Sequence, residues 1–327
     1  MLPDLVIDGP VTWTNASSTL RVVAQHDIVF TEWAAQWTCA GDLVLQAGIR
    51  DPSHSGTIRI LPAQHHHPLF VMPLRSDRTS PTIEVHCNPI SRERSHKYGA
   101  GGRMFLFDLP FGDFQVKYYA LVNTVEDLAN LLIHARGRYS LSQNIDASQA
   151  RNWHHGAGFQ PLNRSRSGDY FCGELNGNGF AIFNLFIQPS GCEKHVGLFS
   201  VLYGRNEAQP AVIRNLELRN FTVAGGTHAA GLLVGSAVYA RIENVLVRNS
   251  TLRTKAKKVG QVAGYAYGTS LRNVHRFNST VQWHRPREKN LADDTAASLV
   301  CGGKILGMQD FGTTLHRCGS APVGCVP

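Results

Sequence analysis

Apolar residues near the start of the chain come in short clusters, not in helical stripes. Leu20-Arg21-Val22-Val23-Ala24, Asp27-Ile28-Val29-Phe30, Asp42-Leu43-Val44-Leu45-Gln46-Ala47-Gly48 and Gly56-Thr57-Ile58-Arg59-Ile60 are each about five residues long and recur every 8 to 16 residues, with turn residues between. That spacing predicts an all-β chain. Leu5-Val6-Ile7 reads as a further strand. A helix is predicted over 124–136, where Asn123-Thr124-Val125-Glu126 resembles a capping box with Asn123 as N-cap and Glu126 reaching back. Val125, Leu128, Leu131, Leu132 and Ala135 follow at helical spacing, and Gly137 ends the run. Residues 62–104 break the pattern with Pro62, Pro68, Pro73, Pro81 and Pro89, the polar basic run 92–97 and the glycines of 99–102. They read as a long inserted arm.

Beyond residue 180 the chain repeats itself. Ile213-Arg214-Asn215-Leu216-Glu217-Leu218-Arg219-Asn220 is answered 29 residues later by Ile242-Glu243-Asn244-Val245-Leu246-Val247-Arg248-Asn249. A further 29 residues on stands Leu271-Arg272-Asn273-Val274-His275-Arg276-Phe277-Asn278. Gly231-Leu232-Leu233-Val234-Gly235 and Gly260-Gln261-Val262-Ala263-Gly264 keep the same step. Looser copies flank the three, with Gly197-Leu198-Phe199 before them.

Two short strands and no helix per period are too little for a propeller blade and fit one coil of a β-solenoid. Each coil has a few inward aliphatics and cannot bury them alone. Stacking places Leu216 over Val245 and Val274 at the ~4.8 Å strand spacing. It also predicts two buried amide files, Asn215, Asn244 and Asn273 in one and Asn220, Asn249 and Asn278 in the other. The paired glycines Gly231/Gly260 and Gly235/Gly264 are expected at corners that need positive φ. Arg276, where the other copies have Leu218 and Val247, implies either a register shift or a coil near one end of the stack, and the basic, Pro-containing run that follows favours the latter. Asn-x-Ser/Thr patterns at Asn220, Asn249 and Asn278 follow from such corners without invoking a sugar.

Composition fits this picture. The 327 residues carry 32 Lys plus Arg against 24 Asp plus Glu, a net charge of +8, yet only 17% are charged and 31 are Gly. Such a chain is neither disordered nor a long-helix protein. No run approaches the ~18 apolar residues of a membrane helix, and Met1-Leu2-Pro3-Asp4 lacks the basic and apolar regions of a signal peptide. Seven scattered cysteines, without Cys/His zinc spacing, fit either free buried thiols or a few disulfides with Cys318 and Cys325 as the local pair.

Part of the charge has a predicted place. Arg253, Lys255, Lys257 and Lys258 in one coil fall 29 residues before a segment holding His284, Arg285, Arg287 and Lys289. Stacking would gather both on one flank as a ridge for anionic ligands. Solvated loops that discourage end-to-end pairing would carry the same charges. Trp283 is the aromatic residue close by, which gives little for stacking bases, so nucleic acid is not favoured.

Catalysis finds less support. Residues 170–292 contain no Asp, and Glu174, Glu193, Glu207, Glu217, Glu243 and Glu288 share no file, whereas glycosidic chemistry asks for paired carboxylates. Asp146 with Asp169, or Asp293-Asp294, sit where turns and helix starts ordinarily use Asp. His65-His66-His67 has no carboxylate or Cys beside it and reads as an exposed loop. No cofactor or metal is expected.

Several stretches resemble the β-helical domains of filamentous-haemagglutinin-like, two-partner-secreted adhesins. These are the 123–132 helix with 139–147, the run Phe171-Cys172-Gly173-Glu174-Leu175-Asn176-Gly177-Asn178-Gly179-Phe180, the element Val196-Gly197-Leu198-Phe199, and Gly231 to Gly235, which is similar to the repeats called GLUG. The resemblance implies a right-handed parallel β-helix and an adhesive surface role, and brings no catalytic residues. The expected organisation is degenerate coils over 1–61, the arm and return over 62–118, and a single continuous solenoid with 29-residue repeats over 119–327. The expected function is a non-enzymatic surface adhesin or stalk, extracellular or on a cell or virion surface, that binds acidic glycan or protein partners or self-associates through its coil ends. The alternatives are a structural subunit of a virion, cell wall or large assembly and, less favoured, a polysaccharide-active enzyme.

Overall fold

The computed structural model describes residues 4–15, 17–31, 37–51, 56–60, 70–71, 81–88, 115–131, 135–162, 170–189, 191, 193–283, 300–301, 304–306, 309–311 and 314–317. The chain is an all-β parallel β-helix. It divides into two compact units, Met1–Leu121 with Arg138–Ser142, and Val122–Gly137 with Gln143–Pro327.

In the first unit, Thr19–Val23, Asp42–Gln46, Thr82–Cys87, Gln115–Val122 and Arg138–Leu141 lie side by side in one sheet. Leu5–Ile7, Ile28–Phe30 and Ile58–Ile60 form a second, and Thr12–Trp13, Trp37–Cys39 and Phe70–Val71 a third. Leu43, Leu45, Ile83, Val85, Ile28 and Phe30 pack as its core. The Pro-rich window therefore touches the coils twice, at Phe70–Val71 and Thr82–Cys87. His65 to His67 and most of the window lie outside the described residues.

Over residues 211–283 of the second unit the 29-residue step is the register itself. Strand Ala211–Arg219 pairs in parallel with Ala240–Arg248, and that strand with Ser270–Phe277. Ile213, Ile242 and Leu271 form one buried file; Leu216, Val245 and Val274 form another. Shorter strands repeat around the coil, with Thr222–Ala224, Thr251–Thr254 and Thr280–Trp283 in one sheet and Phe199–Tyr203, Val234–Val238 and Ala263–Tyr267 in another. Each inward Leu, Ile or Val contributes about 1.5–3 kcal/mol on burial, and no coil has enough of them to stand alone. Arg276 causes no register slip: it pairs with Val247 on one side, is almost completely buried, and has Asp310 as its backbone partner in the following tier of strands.

Three local expectations are corrected. The helix is one short turn, Val125–Ala129, and its N-cap is Thr124, whose Oγ1 accepts from the Asp127 N–H at 3.2 Å. Asp127, not Glu126, reaches back, to the Asn123 N–H at 3.0 Å, while Glu126 accepts from Gln149. The asparagine files sit at the surface, not in the core. Positive φ belongs to them, at 47° to 55° for Asn215, Asn220, Asn244, Asn249, Asn273 and Asn278, and to none of the four repeat glycines. Asn tolerates this left-handed geometry, which turns its amide outward where neighbours can bond. Asn244 Nδ2 donates to Asn215 Oδ1 at 2.9 Å, Asn273 to Asn244 at 3.0 Å, and Asn278 to Asn249 at 3.1 Å. Beside the outer file, Ser250 Oγ accepts from the Phe221 N–H of the preceding coil at 3.0 Å, so the Asn-Ser-Thr corner is a structural joint. Glycine is required instead by close approach: a Cβ on Gly264 would lie 2.4 Å from the Ala230 nitrogen.

These corners yield a stability prediction, measured by urea unfolding. Asn244→Ala loses ladder bonds on both sides and leaves an alanine at positive φ, so stability should fall by about 2 kcal/mol. Asn244→Gly keeps the backbone comfortable and should cost about half as much. Gly264→Ala should cost more than either, and equal losses for all three would contradict the assignment.

Candidate functional site

Three successive turns of chain meet at one corner of the second unit. Gly225 and Gly226, at φ +103° and +86°, turn the chain out of strand Thr222–Ala224. The Thr227 N–H then donates to the Glu193 carbonyl at 2.9 Å and the His228 N–H to the Lys194 carbonyl at 2.8 Å. One coil later the Lys257 N–H donates to the Thr227 carbonyl at 3.3 Å and the Lys258 N–H to the His228 carbonyl at 2.9 Å. His195, Ala229 and Lys258 are register partners, so the preceding residues Lys194, His228 and Lys257 form a parallel file beside them.

The loop of the later coil is fixed from within. Buried Ala256 donates its N–H to Thr254 Oγ1 at 3.0 Å, and its carbonyl accepts from Trp283 Nε1 at 3.0 Å. Trp283, 7% exposed, is thus an anchor beneath the loop and not a face for stacking. Exposed Lys255 and Lys257 flank Ala256, and exposed Arg253 lies two residues earlier. The half-buried Lys258 holds its Nζ 3.7 Å from the Tyr265 ring centroid, a cation–π contact.

Between these cations the His195 and His228 rings meet edge to face, centroids 5.1 Å apart. Both Nδ1 atoms are buried without a hydrogen-bond partner among the described residues. Burial first, and then the charges of His228, Lys194 and Lys258, push His195 down to about 4. Burial together with Lys258, Lys257 and Lys194 lowers His228 as well. At neutral pH both rings are therefore neutral, and the lysines carry the charge.

The structure thus brings Arg253, Lys255, Lys257 and Lys258 to this corner, while His284, Arg285, Arg287 and Lys289 lie outside the described residues. Lys194, His195 and His228 were not found by sequence reasoning. The step from the earlier coil is 34 residues at Glu193 and Thr227, not 29, so the repeat alignment never set Lys194 beside His228. A second aromatic grouping was missed for a like reason. Tyr203 and Tyr267 are 43% and 42% exposed, and Tyr239 packs on Tyr267 at 5.5 Å although it is one residue out of phase with it.

Other clusters are structural by their contacts. Glu174 pairs with Arg214 at 2.7 Å, Glu217 with Arg219 and Arg248 at 3.0 and 3.5 Å, and Glu243 with Arg241 and Arg272 at 3.7 and 4.0 Å. In the first unit Asp4, His26 and Asp27 converge closely enough to ligate a cation. Arg59 already sits there, 2.7 Å from Asp27 and 3.3 Å from Asp4. The mutual hydrogen bond is the main cause that lowers the Asp4 pKa, and it raises that of His26. Ser140, His86 and Glu84 carry the residue types of a nucleophilic triad, with Ser140 Oγ 2.9 Å from His86 Nδ1. Ser140 and His86 are, however, wholly buried, Glu84 is 3.5 Å from Nε2, and the imidazole stacks flat on Tyr119 at 4.4 Å. Cys87 and Cys172 are free thiols, the former buried with its pKa raised by desolvation; Cys318 and Cys325 lie outside the described residues. Among the described residues no helix is long and apolar enough to cross a membrane.

The depressed histidine has a measurable consequence. Because the unfolded chain binds a proton near pH 6.5 and the folded chain does not until about 4, His195 makes stability fall as pH drops through that window. NMR titration should place the His195 midpoint near 4, and a midpoint at 6.5 would contradict the geometry.

No family model matches the chain, and no solved structure matches it. One stretch of 102 residues, 30% of the chain, is 37% identical to halomucin of Haloquadratum walsbyi, and the match covers 1% of halomucin's length. The chain is thus similar over under a third of its length to a small part of a far longer protein.

Proposed function

We propose that the protein is a non-enzymatic β-solenoid of a cell or particle surface, related to the filamentous-haemagglutinin-like adhesins with GLUG-type repeats, whose stacked coils present a cationic corner to acidic glycan. The observation that carries this reading is the corner itself, where Lys194 of one coil and Lys257 and Lys258 of the coil two steps later are joined through Thr227 and His228 by backbone hydrogen bonds, with Arg253 and Lys255 exposed alongside. A rigid row of cations meets a charged polymer at several points and gives up little conformational freedom in doing so. The likeness of 102 residues to halomucin, by its name a mucin, supports an extracellular setting. The burial of Ser140 and His86 and the arginine pairing of Glu174, Glu217 and Glu243 favour a non-enzymatic role. A structural subunit of a larger assembly is the second reading, favoured by Phe277, 48% exposed on the outer face of its strand.

Glycan-array and surface-binding measurements with a sulfated or carboxylated polysaccharide test the first reading. The double variant Lys255→Glu/Lys257→Glu should bind at least about tenfold more weakly at physiological salt, with a shallower salt dependence than the parent chain. Undiminished binding would remove the corner as the site. No binding by the parent chain, combined with concentration-dependent assembly, would favour the structural subunit.

A further inference from the structure

Two features of the corner are not explained by a row of solvated lysines. His195 and His228 bury their Nδ1 atoms with no hydrogen-bond partner among the described residues, which is costly for a polar atom, and burial first and then the surrounding lysines oppose their protonation. A neutral imidazole has one donor and one acceptor nitrogen, and each protonated ring would offer a second N–H. Burial is the larger obstacle to that protonation, and an incoming anion beside the lysines removes the part of the opposition that their charges add.

We infer that the corner is a proton-coupled anion site, in which carboxylate or sulfate groups of an acidic polysaccharide dock among Lys194, Lys257 and Lys258 while His195 and His228 take up protons from solvent. This rests on the proposed glycan reading and adds its regulation: binding tightens as the medium acidifies. The charged groups facing the two rings are Lys194 from the earliest coil, Lys257 and Lys258 from the latest, and each ring toward the other. Glu193 precedes Lys194 in the chain, and its buried carboxylate is the acidic side chain nearest in sequence. A metal cation is the wrong ligand for such surroundings, because three ammonium groups repel it. Nucleic acid is disfavoured because the Tyr265 face is covered by Lys258 and Trp283 is buried.

Proton uptake separates this inference from simple electrostatic binding. Calorimetric titration of the full chain at pH 6, in two buffers of different ionisation enthalpy, would use dextran sulfate, polygalacturonate and a single-stranded DNA oligonucleotide as probes. With either saccharide the heats should differ between buffers by the uptake of about one proton or more per site, and affinity should rise by about tenfold per pH unit for each proton taken up. His195→Asn/His228→Asn should bind with no buffer dependence and a flat pH profile. Should that pair fail to fold by circular dichroism, His228→Gln alone should lower the uptake. Saccharide binding without proton uptake would overturn the inference and leave the glycan reading standing. No binding of either saccharide between pH 5 and 7 would overturn both. Tighter, proton-linked binding of the DNA would overturn the choice of saccharide.

Discussion

In-register parallel stacking is the constraint on which the rest of the second unit depends. Each strand finds its backbone partners one coil away in sequence, as in the pairing of Ala211–Arg219 with Ala240–Arg248 and then Ser270–Phe277. Where the coils are equal in length, as over residues 211–283, like residues meet like, and whatever one coil places at a position the next must also accept. Inside, this selects aliphatics such as Leu216, Val245 and Val274. At the surface it selects side chains that bond to copies of themselves, and the primary amide of asparagine, both donor and acceptor, is suited to this. The backbone adds a second demand, since these same asparagines take up the left-handed conformation where the strand turns.

The 29-residue period, the aliphatic files and the partners of Leu216 were legible in the sequence because the stacking of residues 211–283 imposes an equal step. The split between asparagine and glycine was not. Both residue types accept positive φ, and sequence alone does not say which of two conserved-looking corner types needs conformational freedom and which needs space. Gly264, pressed against the Ala230 backbone, needs space; Asn244 needs the conformation. The helix was legible as a start signal, yet choosing between Asn123 and Thr124 as cap turns on a hydroxyl geometry that only the fold settles. Arg276 broke the aliphatic pattern without breaking the register, because its backbone keeps parallel partners in Val247 on one side and Asp310 on the other.

The candidate site was legible in part for the same reason. Lys255, Lys257 and Lys258 stand in an evenly repeated coil, whereas Lys194 and His195 belong to a coil with a longer loop and fall out of phase. What the fold adds is the order of the layers, with His228 in the layer between that of Lys194 and His195 and that of Lys257 and Lys258, and the fastening of the basic loop by Thr254 and Trp283. Charge that looks dispersed along the chain becomes local because stacking converts sequence periods into distances of about 5 Å. A polyanion, itself periodic and extended, is the ligand proposed for such a surface.

The central claim is that the coils stack with this register, since the core files, the asparagine ladders and the cationic corner all follow from it. Disulfide trapping tests it most directly, using the outward-facing register partners Arg219 and Arg248. Under mild oxidation Arg219→Cys/Arg248→Cys should cross-link efficiently, the strand spacing of about 4.8 Å lying within disulfide reach. The pair Arg219→Cys/Leu246→Cys, two residues out of register, should not link. Linked-peptide mass spectrometry showing the shifted pair joined and the register pair separate would contradict the stack, and with it the corner.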